Sequence, residues 1–413
     1  MKFVRPSSIR GSLIAPSSKS YAQRAIFCGL LASGESQLIG YSECTDTHYA
    51  TQVARSLGAS LEHREGRLII LGGKQVLNSR LDCGESGLCM RMVPAIAALQ
   101  EQTFEVTGKP ALLRRPVSML EAPLEQLGVK CKSNDGFPPL SIRGPLKGGE
   151  IFVDGSISSQ FISGLLIALP LAKEDSVVFV SKLKSAPYLA MTLEIISAFG
   201  VKVETSDLNQ FRIKGRQRYQ PTKFQLEGDW SGGAFLLVAG AIAGQVTLSN
   251  LNSNSLQADR AILQALKLAG ASLSLEPESI TVAHRPLTAF SFDATDCPDL
   301  FPPLVALACS CRGKSVIKGT TRLVHKESNR AATLRSEYAK LGAKIEASDD
   351  CLIIEGTKLS GGKVTAHNDH RIAMSTAVAA LNSINGVTIE GPDCVAKSYP
   401  EFFRELESVQ VII

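Results

Sequence analysis

The sequence lacks the features that mark membrane, secreted and nucleic-acid-binding proteins. It has no run of about 18 apolar residues, the length that a membrane-spanning helix needs. Its first residues lack the apolar core of a signal peptide. The net charge is only +5, and no block of like charges occurs. We therefore expect a cytoplasmic protein that binds neither nucleic acid nor a membrane.

Metal, disulfide and nucleotide motifs are also missing. The ten cysteines include no CxxC pair, and the close pair Cys309 and Cys311 follows an apolar run. We interpret the cysteines as core thiols in a reducing compartment. His367 and His370 have no third ligand in a recognisable pattern, so no metal is expected. The segment 15–20 lacks both glycines of a Walker loop. We expect no cofactor.

What the sequence does contain is a repeat. A helical stretch, a glycine and a short alternating strand recur, and the glycines lie 70 or 72 residues apart: Gly58, Gly128, Gly200, Gly270 and Gly342. Glycine is typical of a helix C-terminus that ends in a left-handed conformation. A second strand follows closely behind, as at 67–71 and 351–355. Each unit is therefore predicted to contain a helix, a hairpin and a further strand.

A second phrase, a short polar turn before a long apolar helix, recurs at the same period. Its markers lie 67 to 72 residues apart: Ser20, Gly87, Ser159, Ser231, Asp299 and His370. Six units of about 70 residues thus fill the chain. Because these helices are apolar on nearly every side, we predict that they are buried. Three units around a bundle of buried helices, with sheets outside, would form one domain.

The predicted fold class is α/β, with two similar domains that each contain three repeated βαβαββ-type units. Buried helices and outer sheets would make each domain an inside-out α/β barrel. We predict one domain at 18–226 and a second formed by 1–17 and 227–413. The N-terminal strands, 2–4 and 9–14, are expected to complete the unit that begins at the C-terminus. There the helix 402–406 and the strand 409–413 replace the glycine phrase. Handedness and strand order stay open.

Polar residues collect at the starts of the six apolar helices. A helix N-terminus has unpaired N–H groups and partial positive charge, so facing domains would bring together a site for anions. Capping accounts for one Ser or Asp per helix. It does not account for Lys19, Arg24 and Arg371, because cations are unfavourable at that end of a helix. An anionic ligand would reverse that penalty; the alternative is ordinary caps with solvated basic neighbours.

Several short phrases resemble those of a known family. In chain order they are Pro16-Ser17-Ser18-Lys19-Ser20 with Arg24, Arg115-Pro116, Ser158-Ser159-Gln160, Pro298-Asp299, Lys326-Glu327 with Arg330, Asn368-Asp369-His370-Arg371 and Ala396-Lys397. Together, over the whole chain, they resemble the 3-phosphoshikimate 1-carboxyvinyltransferases, or 5-enolpyruvylshikimate-3-phosphate (EPSP) synthases. The resemblance implies two three-unit domains that close over the substrates. It also implies transfer of the enolpyruvyl group of phosphoenolpyruvate to the 5-hydroxyl of shikimate 3-phosphate, on the pathway to chorismate and aromatic amino acids.

The resemblance implies roles for individual residues. Shikimate 3-phosphate would be bound by Lys19, Ser20, Arg24, Ser158, Ser159, Gln160, Ser185, Tyr188, Asp299 and Lys326. Phosphoenolpyruvate would be bound by Lys19, Gly87, Arg115, Gln160, Arg330, Arg371 and Lys397. Glu327 would protonate the methylene carbon of phosphoenolpyruvate, and Asp299 with Lys19 would handle the hydroxyl proton. From the residues alone, Asp299 could instead be a helix cap, and Glu327 could pair with Lys326 or Arg330. A monomer is expected.

Departures from the family pattern leave alternatives open. Family members usually carry Asn, Thr, Pro and Asn at the positions of Glu85, Leu88, Met92 and Arg322. The nearest alternative is UDP-N-acetylglucosamine enolpyruvyl transferase. That enzyme usually has Lys-Asn in the first motif and a reactive cysteine where the segment 108–115 has none. A binding protein that has lost the chemistry and an RNA-end-processing enzyme are further alternatives. The retained charged motifs disfavour the first, and the weak net charge disfavours the second.

Overall fold

A computed structural model describes residues 1–73 and 75–411. In these residues the α-helices are α1 (Lys19–Leu31), α2 (Thr45–Ser56), α3 (Gly87–Ala97), α4 (Pro110–Leu113), α5 (Glu121–Gln126), α6 (Ser159–Ala168), α7 (Ala186–Ala198), α8 (Trp230–Ala243), α9 (Ile262–Leu268), α10 (Phe301–Cys309), α11 (Arg330–Lys340), α12 (His370–Ala380) and α13 (Phe402–Ser408). None of these helices has both the length and the apolar character needed to cross a membrane.

The β-strands of the described residues are short. They are β1 (Lys2–Val4), β2 (Ser8–Ile14), β3 (Glu35–Ile39), β4 (Ser60–Arg64), β5 (Arg67–Leu71), β6 (Arg80–Asp82), β7 (Thr103–Thr107), β8 (Lys130–Asn134), β9 (Phe137–Arg143), β10 (Gly149–Asp154), β11 (Ser176–Ser181), β12 (Val203–Glu204), β13 (Gln210–Ile213), β14 (Lys223–Gln225), β15 (Gly244–Ser249), β16 (Ser272–Leu275), β17 (Ser279–Ala283), β18 (Ser291–Asp293), β19 (Lys314–Lys318), β20 (Lys344–Ser348), β21 (Cys351–Glu355), β22 (Gly362–Thr365), β23 (Val387–Glu390) and β24 (Gln410–Val411).

The chain forms two compact units. We call Ser17–Leu226 the continuous unit, and Met1–Pro16 with Glu227–Ile413 the split unit. Helices α1, α3 and α6 are buried in the continuous unit, and α8, α10 and α12 are buried in the split unit. These helices are buried on nearly every side, as the sequence predicts. Eight of the ten cysteines are buried, and all ten are free thiols.

One strand order recurs in the sheets. The continuous unit contains the orders β14-β3-β5-β4, β6-β7-β9-β8 and β10-β11-β13-β12. In each, the first two strands are parallel and the other pairings are antiparallel. The split unit repeats this order as β18-β19-β21-β20. The βαβαββ unit is therefore as predicted. All the described sheets are open. The predicted barrel is therefore, in each unit, a set of three separate sheets and not one closed sheet.

The N-terminal strands divide between two sheets. β1 pairs antiparallel with β23, so it completes the sixth unit as predicted. β2 instead lies parallel to β15, and β24 pairs with β2. The expectation that the strand 9–14 completes the sixth unit is therefore wrong. The reason is that β14, the strand just before α8 in sequence, pairs with β3. The fourth sheet then has no first strand of its own, and β2 takes that place.

The five repeat glycines end helices as predicted. Their φ angles are 103°, 79°, 81°, 88° and 89°, in the left-handed region that glycine tolerates. The bonding pattern is shown by Gly58, whose N–H donates to the Arg55 carbonyl at 2.9 Å, while the Ala59 N–H donates to the Ala54 carbonyl at 3.0 Å. The other four glycines repeat both bonds. This Schellman arrangement pairs the last helical carbonyls and directs the chain into the hairpin.

Side chains cap five of the six buried helices. The caps, each of which accepts a backbone N–H of the first helical turn, are Ser18, Ser86, Ser158, Asp229 and Asp369. Helix α10 differs, because it follows the 3-10 turn Pro298–Leu300 and has no side-chain cap. The carboxylate of Asp299, which lies in that turn, is therefore available for other partners.

Candidate active site

Arg24 of α1 is a buried cation at the centre of the polar residues of the continuous unit. Its Nε donates to Thr192 Oγ1 at 2.8 Å, its Nη1 to the Ser20 carbonyl at 2.8 Å and its Nη2 to Ser163 Oγ at 3.3 Å. All three acceptors are neutral. Burial lowers the pKa of the guanidinium to about 10. A buried cation with neutral partners favours the binding of an anionic group.

The acceptors of Arg24 connect it to other predicted site residues. Thr192 Oγ1 donates to the carbonyl of Tyr188 at 2.8 Å, and Ser163 Oγ donates to the carbonyl of Ser159 at 3.3 Å. Ser158 caps α6 beside Ser159. Ser185 precedes α7 with a left-handed backbone, at φ 60°. Helices α1, α6 and α7 thus bring Ser20, Arg24, Ser158, Ser159, Ser185 and Tyr188 to one end of this unit.

Lys19 begins α1, and its Nζ donates to Asp46 Oδ2 at 2.9 Å. Asp46 lies in the first turn of α2 and is buried. The carboxylate offsets the unfavourable position of a cation at a helix N-terminus and fixes the place of the ammonium. Nothing in the sequence marks Asp46, because α2 is not one of the six apolar helices and its first turn carries neither repeat phrase.

Two arginines flank the start of α3. Arg91 Nη1 donates to Gln160 Oε1 at 2.8 Å, which joins α3 to α6. Gly87 begins α3, and a Cβ atom at this position would lie 2.6 Å from Nη1 of Arg115. The lack of a side chain at Gly87 is therefore what lets the Arg115 guanidinium lie against the start of the helix.

The split unit holds a network of buried cations and carboxylates, which we call the Arg330 cluster: Asp299, Lys326, Glu327, Arg330, Asp369 and Arg371. Arg330 is fully buried and donates to Asp299 Oδ1 at 2.8 Å, Asp369 Oδ2 at 3.0 Å and Glu327 Oε2 at 2.5 Å. Burial alone would lower the pKa of Arg330, but the carboxylates of Asp369, Glu327 and Asp299 raise it above its usual value. Arg330 is therefore a permanent positive charge that orients all three acids.

Asp299 contacts three cations. Lys326 Nζ lies 3.1 Å from Oδ1, Arg330 Nη1 lies 2.8 Å from Oδ1, and Arg371 Nη2 lies 3.3 Å from Oδ2. Burial by itself would raise the pKa of Asp299, but Arg371, Lys326 and Arg330 together hold it well below its usual range. Asp299 is thus an ionised carboxylate held by three cations, and not a helix cap.

The split unit has three further cations among the predicted site residues: Lys326, Arg371 and Lys397. Burial lowers the pKa of Lys326 to about 8, although Asp299 opposes this shift. Arg371 Nη1 is buried and has no hydrogen-bond acceptor within the described residues. Lys397 is also buried, and its Nζ donates to the Asn368 carbonyl at 2.5 Å. A buried guanidinium nitrogen without an acceptor is costly unless a ligand accepts from it.

Comparison with known proteins gives one consistent result. A family profile described as EPSP synthase (3-phosphoshikimate 1-carboxyvinyltransferase) matches residues 4–406. A 3-phosphoshikimate 1-carboxyvinyltransferase from Clostridium perfringens is 38% identical, over 99% of this chain and 98% of the relative. One from Methanocorpusculum labreanum is 35% identical, over 98% of this chain and 97% of the relative. An EPSP synthase structure from Acinetobacter baumannii superposes with a TM-score of 0.84 at 27% identity, over 99% and 97% of the two chains.

The chain belongs to the EPSP synthase family. The predicted family, the α/β fold class and the predicted transferase activity of the shikimate pathway are thereby confirmed. The roles of single residues in this EPSP synthase family member stay predictions. The structure places each predicted residue in one of two groups. The continuous unit carries Lys19, Ser20, Arg24, Gly87, Arg115, Ser158, Ser159, Gln160, Ser185 and Tyr188. The split unit carries Asp299, Lys326, Glu327, Arg330, Arg371 and Lys397.

Asp259 is a second polar residue, besides Asp46, that the sequence does not predict at the site. This residue is buried in the split unit and accepts a hydrogen bond from Ser231 Oγ. Burial, with repulsion from Asp299, raises the pKa of Asp259 to about 7. Asp259 lies in a turn that carries neither repeat phrase, so no pattern in the sequence marks it. Asp369 was part of a family phrase, but only the structure shows that it binds Arg330.

Replacing Gly87 with alanine should weaken the binding of phosphoenolpyruvate in this EPSP synthase family member. The added methyl group would lie too close to the Arg115 guanidinium, at 2.6 Å from Nη1. Because that group is the end of a flexible side chain, we expect the guanidinium to move and the backbone to stay in place. We expect the KM for phosphoenolpyruvate to rise about tenfold, the effect of losing one charge-assisted contact. Gly29→Ala is a matched control, because the three atoms nearest to its methyl group would all belong to the side chain of Ile70, away from Arg115. Equal KM values in Gly87→Ala and the unmodified protein would remove Arg115 from the proposed site.

Proposed function

We propose that this chain joins phosphoenolpyruvate to the 5-hydroxyl of shikimate 3-phosphate by addition and elimination, without a cofactor and as a monomer. The observation that carries the proposal is the pair of acids on one guanidinium: Arg330 binds both Asp299 and Glu327. The reaction needs one group that takes a proton from a hydroxyl and another that gives a proton to carbon. Two acids held side by side on one guanidinium supply both.

Anion binding is divided among hydroxyl groups and cations. In the continuous unit, shikimate 3-phosphate is bound by Ser20, Arg24, Ser158, Ser159, Ser185 and Tyr188. Phosphoenolpyruvate is bound there by Gly87 and Arg115. Both substrates are bound by Lys19 and Gln160. In the split unit, Asp299 and Lys326 bind shikimate 3-phosphate, and Arg330, Arg371 and Lys397 bind phosphoenolpyruvate. Small hydroxyls at the capped start of α6 suit a phosphate, since each donates without adding bulk. The arginines offer two parallel N–H groups to a carboxylate or phosphate.

The two acids of the Arg330 cluster have separate steps. Asp299, with Lys19, takes the proton of the 5-hydroxyl as its oxygen bonds to the central carbon of phosphoenolpyruvate. Glu327 gives a proton to the methylene carbon, which becomes a methyl group. Glu327, now a carboxylate, takes back a proton from the methyl group of the tetrahedral adduct as phosphate leaves, and the vinyl ether forms. The buried cations stabilise the negative charge that moves onto the leaving phosphate.

Phosphate release measured with phosphoenolpyruvate and shikimate 3-phosphate tests this function. Release that requires both substrates supports the proposal. Release with UDP-N-acetylglucosamine in place of shikimate 3-phosphate would show the sister activity instead. No release with either acceptor would favour a protein that binds these anions without turning them over. Light scattering during size-exclusion chromatography tests the monomer.

The titration of Lys326 should limit activity at alkaline pH. Its pKa of about 8 means that its positive charge is present at neutral pH and is lost as the pH rises through that value. We expect the KM for shikimate 3-phosphate to rise between about pH 7 and about pH 9, within about one unit of that pKa. Lys326→Arg should move this rise to higher pH, because arginine keeps its proton. An identical pH profile in Lys326→Arg would show that another group controls the alkaline limb.

A further inference from the structure

We propose that Glu337 is a positioning residue, which holds the turn between β22 and α12 and so sets the places of the phosphoenolpyruvate-binding groups on that turn. The proposal rests on the proposed function, because the binding roles of Arg371 and Lys397 give its kinetic effect a direction. Glu337 lies in α11, seven residues after Arg330. That spacing is about two helical turns.

Glu337 is a buried carboxylate with several donors. Its Oε2 accepts the backbone N–H of Thr365 at 2.9 Å and Lys340 Nζ at 2.7 Å. Its Oε1 lies 2.8 Å from His367 Nε2, and a carboxylate can only accept, so Nε2 carries the hydrogen. Its side chain is only 2% exposed. Glu337 therefore fixes both the end of β22 and the side chain of His367.

The turn that Glu337 holds has an unfavourable backbone. His367 and Asn368 are consecutive non-glycine residues in the left-handed region, at φ 52° and 55°. Such residues persist only where their surroundings hold them, and they are common at functional sites. The hydrogen bond from His367 Nε2 to Glu337 ties the side chain of the first of the two to α11.

The same turn presents groups of the proposed binding site. The carbonyl of Asn368 accepts from Lys397 Nζ. The Asp369 carboxylate accepts from Arg330 Nε at 3.0 Å and also caps the N–H of Arg371 at 3.0 Å. Helix α11 therefore contacts the turn at two points, through Arg330 at Asp369 and through Glu337 at His367. Without the contact between Glu337 and His367, we expect Asn368 to shift, and Lys397 and Arg371 to shift with it.

Steady-state kinetics of Glu337→Gln test the proposal. We expect the KM for phosphoenolpyruvate to rise about tenfold, the scale of effect when a hydrogen bond that orients a binding group is lost. The KM for shikimate 3-phosphate should change less than about twofold, and the melting temperature by only a few degrees. A general loss of structure would instead raise both KM values together, and that result would overturn the proposal.

Substitutions at His367 separate the hydrogen bond from the backbone strain. Glutamine and leucine carry the same penalty at a left-handed position, but only glutamine can donate to Glu337. His367→Gln should therefore keep the KM for phosphoenolpyruvate near that of the unmodified protein, and His367→Leu should reproduce the Glu337→Gln effect. Equal KM values in the two variants would overturn the proposal.

Glu390→Gln is the matched control. Glu390 accepts from Thr365 Oγ1 at 3.0 Å, so the substitution changes the same charge next to the same residue. No hydrogen bond joins Glu390 to His367 in the described residues. We expect its KM for phosphoenolpyruvate to stay within about twofold. A tenfold rise in this variant would show that any change beside Thr365 acts alike, and would overturn a specific role for Glu337.

Hydrogen–deuterium exchange distinguishes failure of this proposal from failure of the proposed function. The backbone amides of 365–371 should exchange faster in Glu337→Gln than in the unmodified protein, in the absence of any substrate. If the unmodified protein does not release phosphate, the proposed function fails and the exchange rates alone decide whether Glu337 holds the turn. Unchanged exchange in this segment would overturn the proposal in either case.

Discussion

Glu327→Gln should lose about 10²- to 10⁴-fold in turnover, the usual contribution of a general acid or base. Glutamine keeps an oxygen that can accept from Arg330 Nη2, which lies 2.5 Å from the carboxylate. The binding of shikimate 3-phosphate should therefore change little, and the fold should be preserved. What the variant lacks is the proton for the methylene carbon of phosphoenolpyruvate, because an amide does not give up a proton at neutral pH.

Single-turnover kinetics and equilibrium binding of shikimate 3-phosphate separate these effects. Glu346→Gln, an exposed change of the same kind on β20 of the same unit, serves as the control and should keep full turnover. Turnover of Glu327→Gln within about threefold of the unmodified protein would remove Glu327 from proton transfer, because general acid–base catalysis contributes far more than that.

Arg330→Met should lower the free energy of unfolding of the split unit by about 3–5 kcal/mol. The guanidinium is fully buried and is bonded to Asp369, whose side chain is also fully buried. Removing one partner of a buried ion pair leaves the other charge uncompensated, which costs more than the pair itself contributes. Asp299 and Glu327 lose a cation at the same time.

The only tryptophan of the chain makes this measurement specific. Trp230 is buried in α8 of the split unit, so its fluorescence during denaturant unfolding reports on that unit. Arg335→Met is the matched control, since Arg335 is an exposed arginine of the same helix. If both variants unfold at the same denaturant concentration, the Arg330 cluster contributes no net stability, and its charges serve the site alone.

The family phrases predicted members of both polar groups, but they could not predict how those members are paired. Lys326-Glu327 with Arg330 and the run from Asn368 to Arg371 are separate phrases in the sequence. In the structure Arg330 joins them, because it binds Glu327 three residues away and Asp369 thirty-nine residues away. The first contact is local in sequence, although Glu327 lies just before α11 and not in it. The second depends on how α11 packs beside α12, for which the sequence has no local signal.

The sequence by itself determined the parts of the fold that depend on local chemistry. Apolar residues on every side of six helices required their burial, and glycine at five helix ends required left-handed caps. The family phrases, taken together, identified the EPSP synthase family. Only the tertiary structure decided that β2 enters the fourth sheet, that Asp46 binds Lys19 and that Glu337 holds the turn at His367. These are pairings between segments that lie far apart in the sequence. Each pairing forms only when the packing of strands and helices brings its two partners together. No periodicity along the chain records that choice.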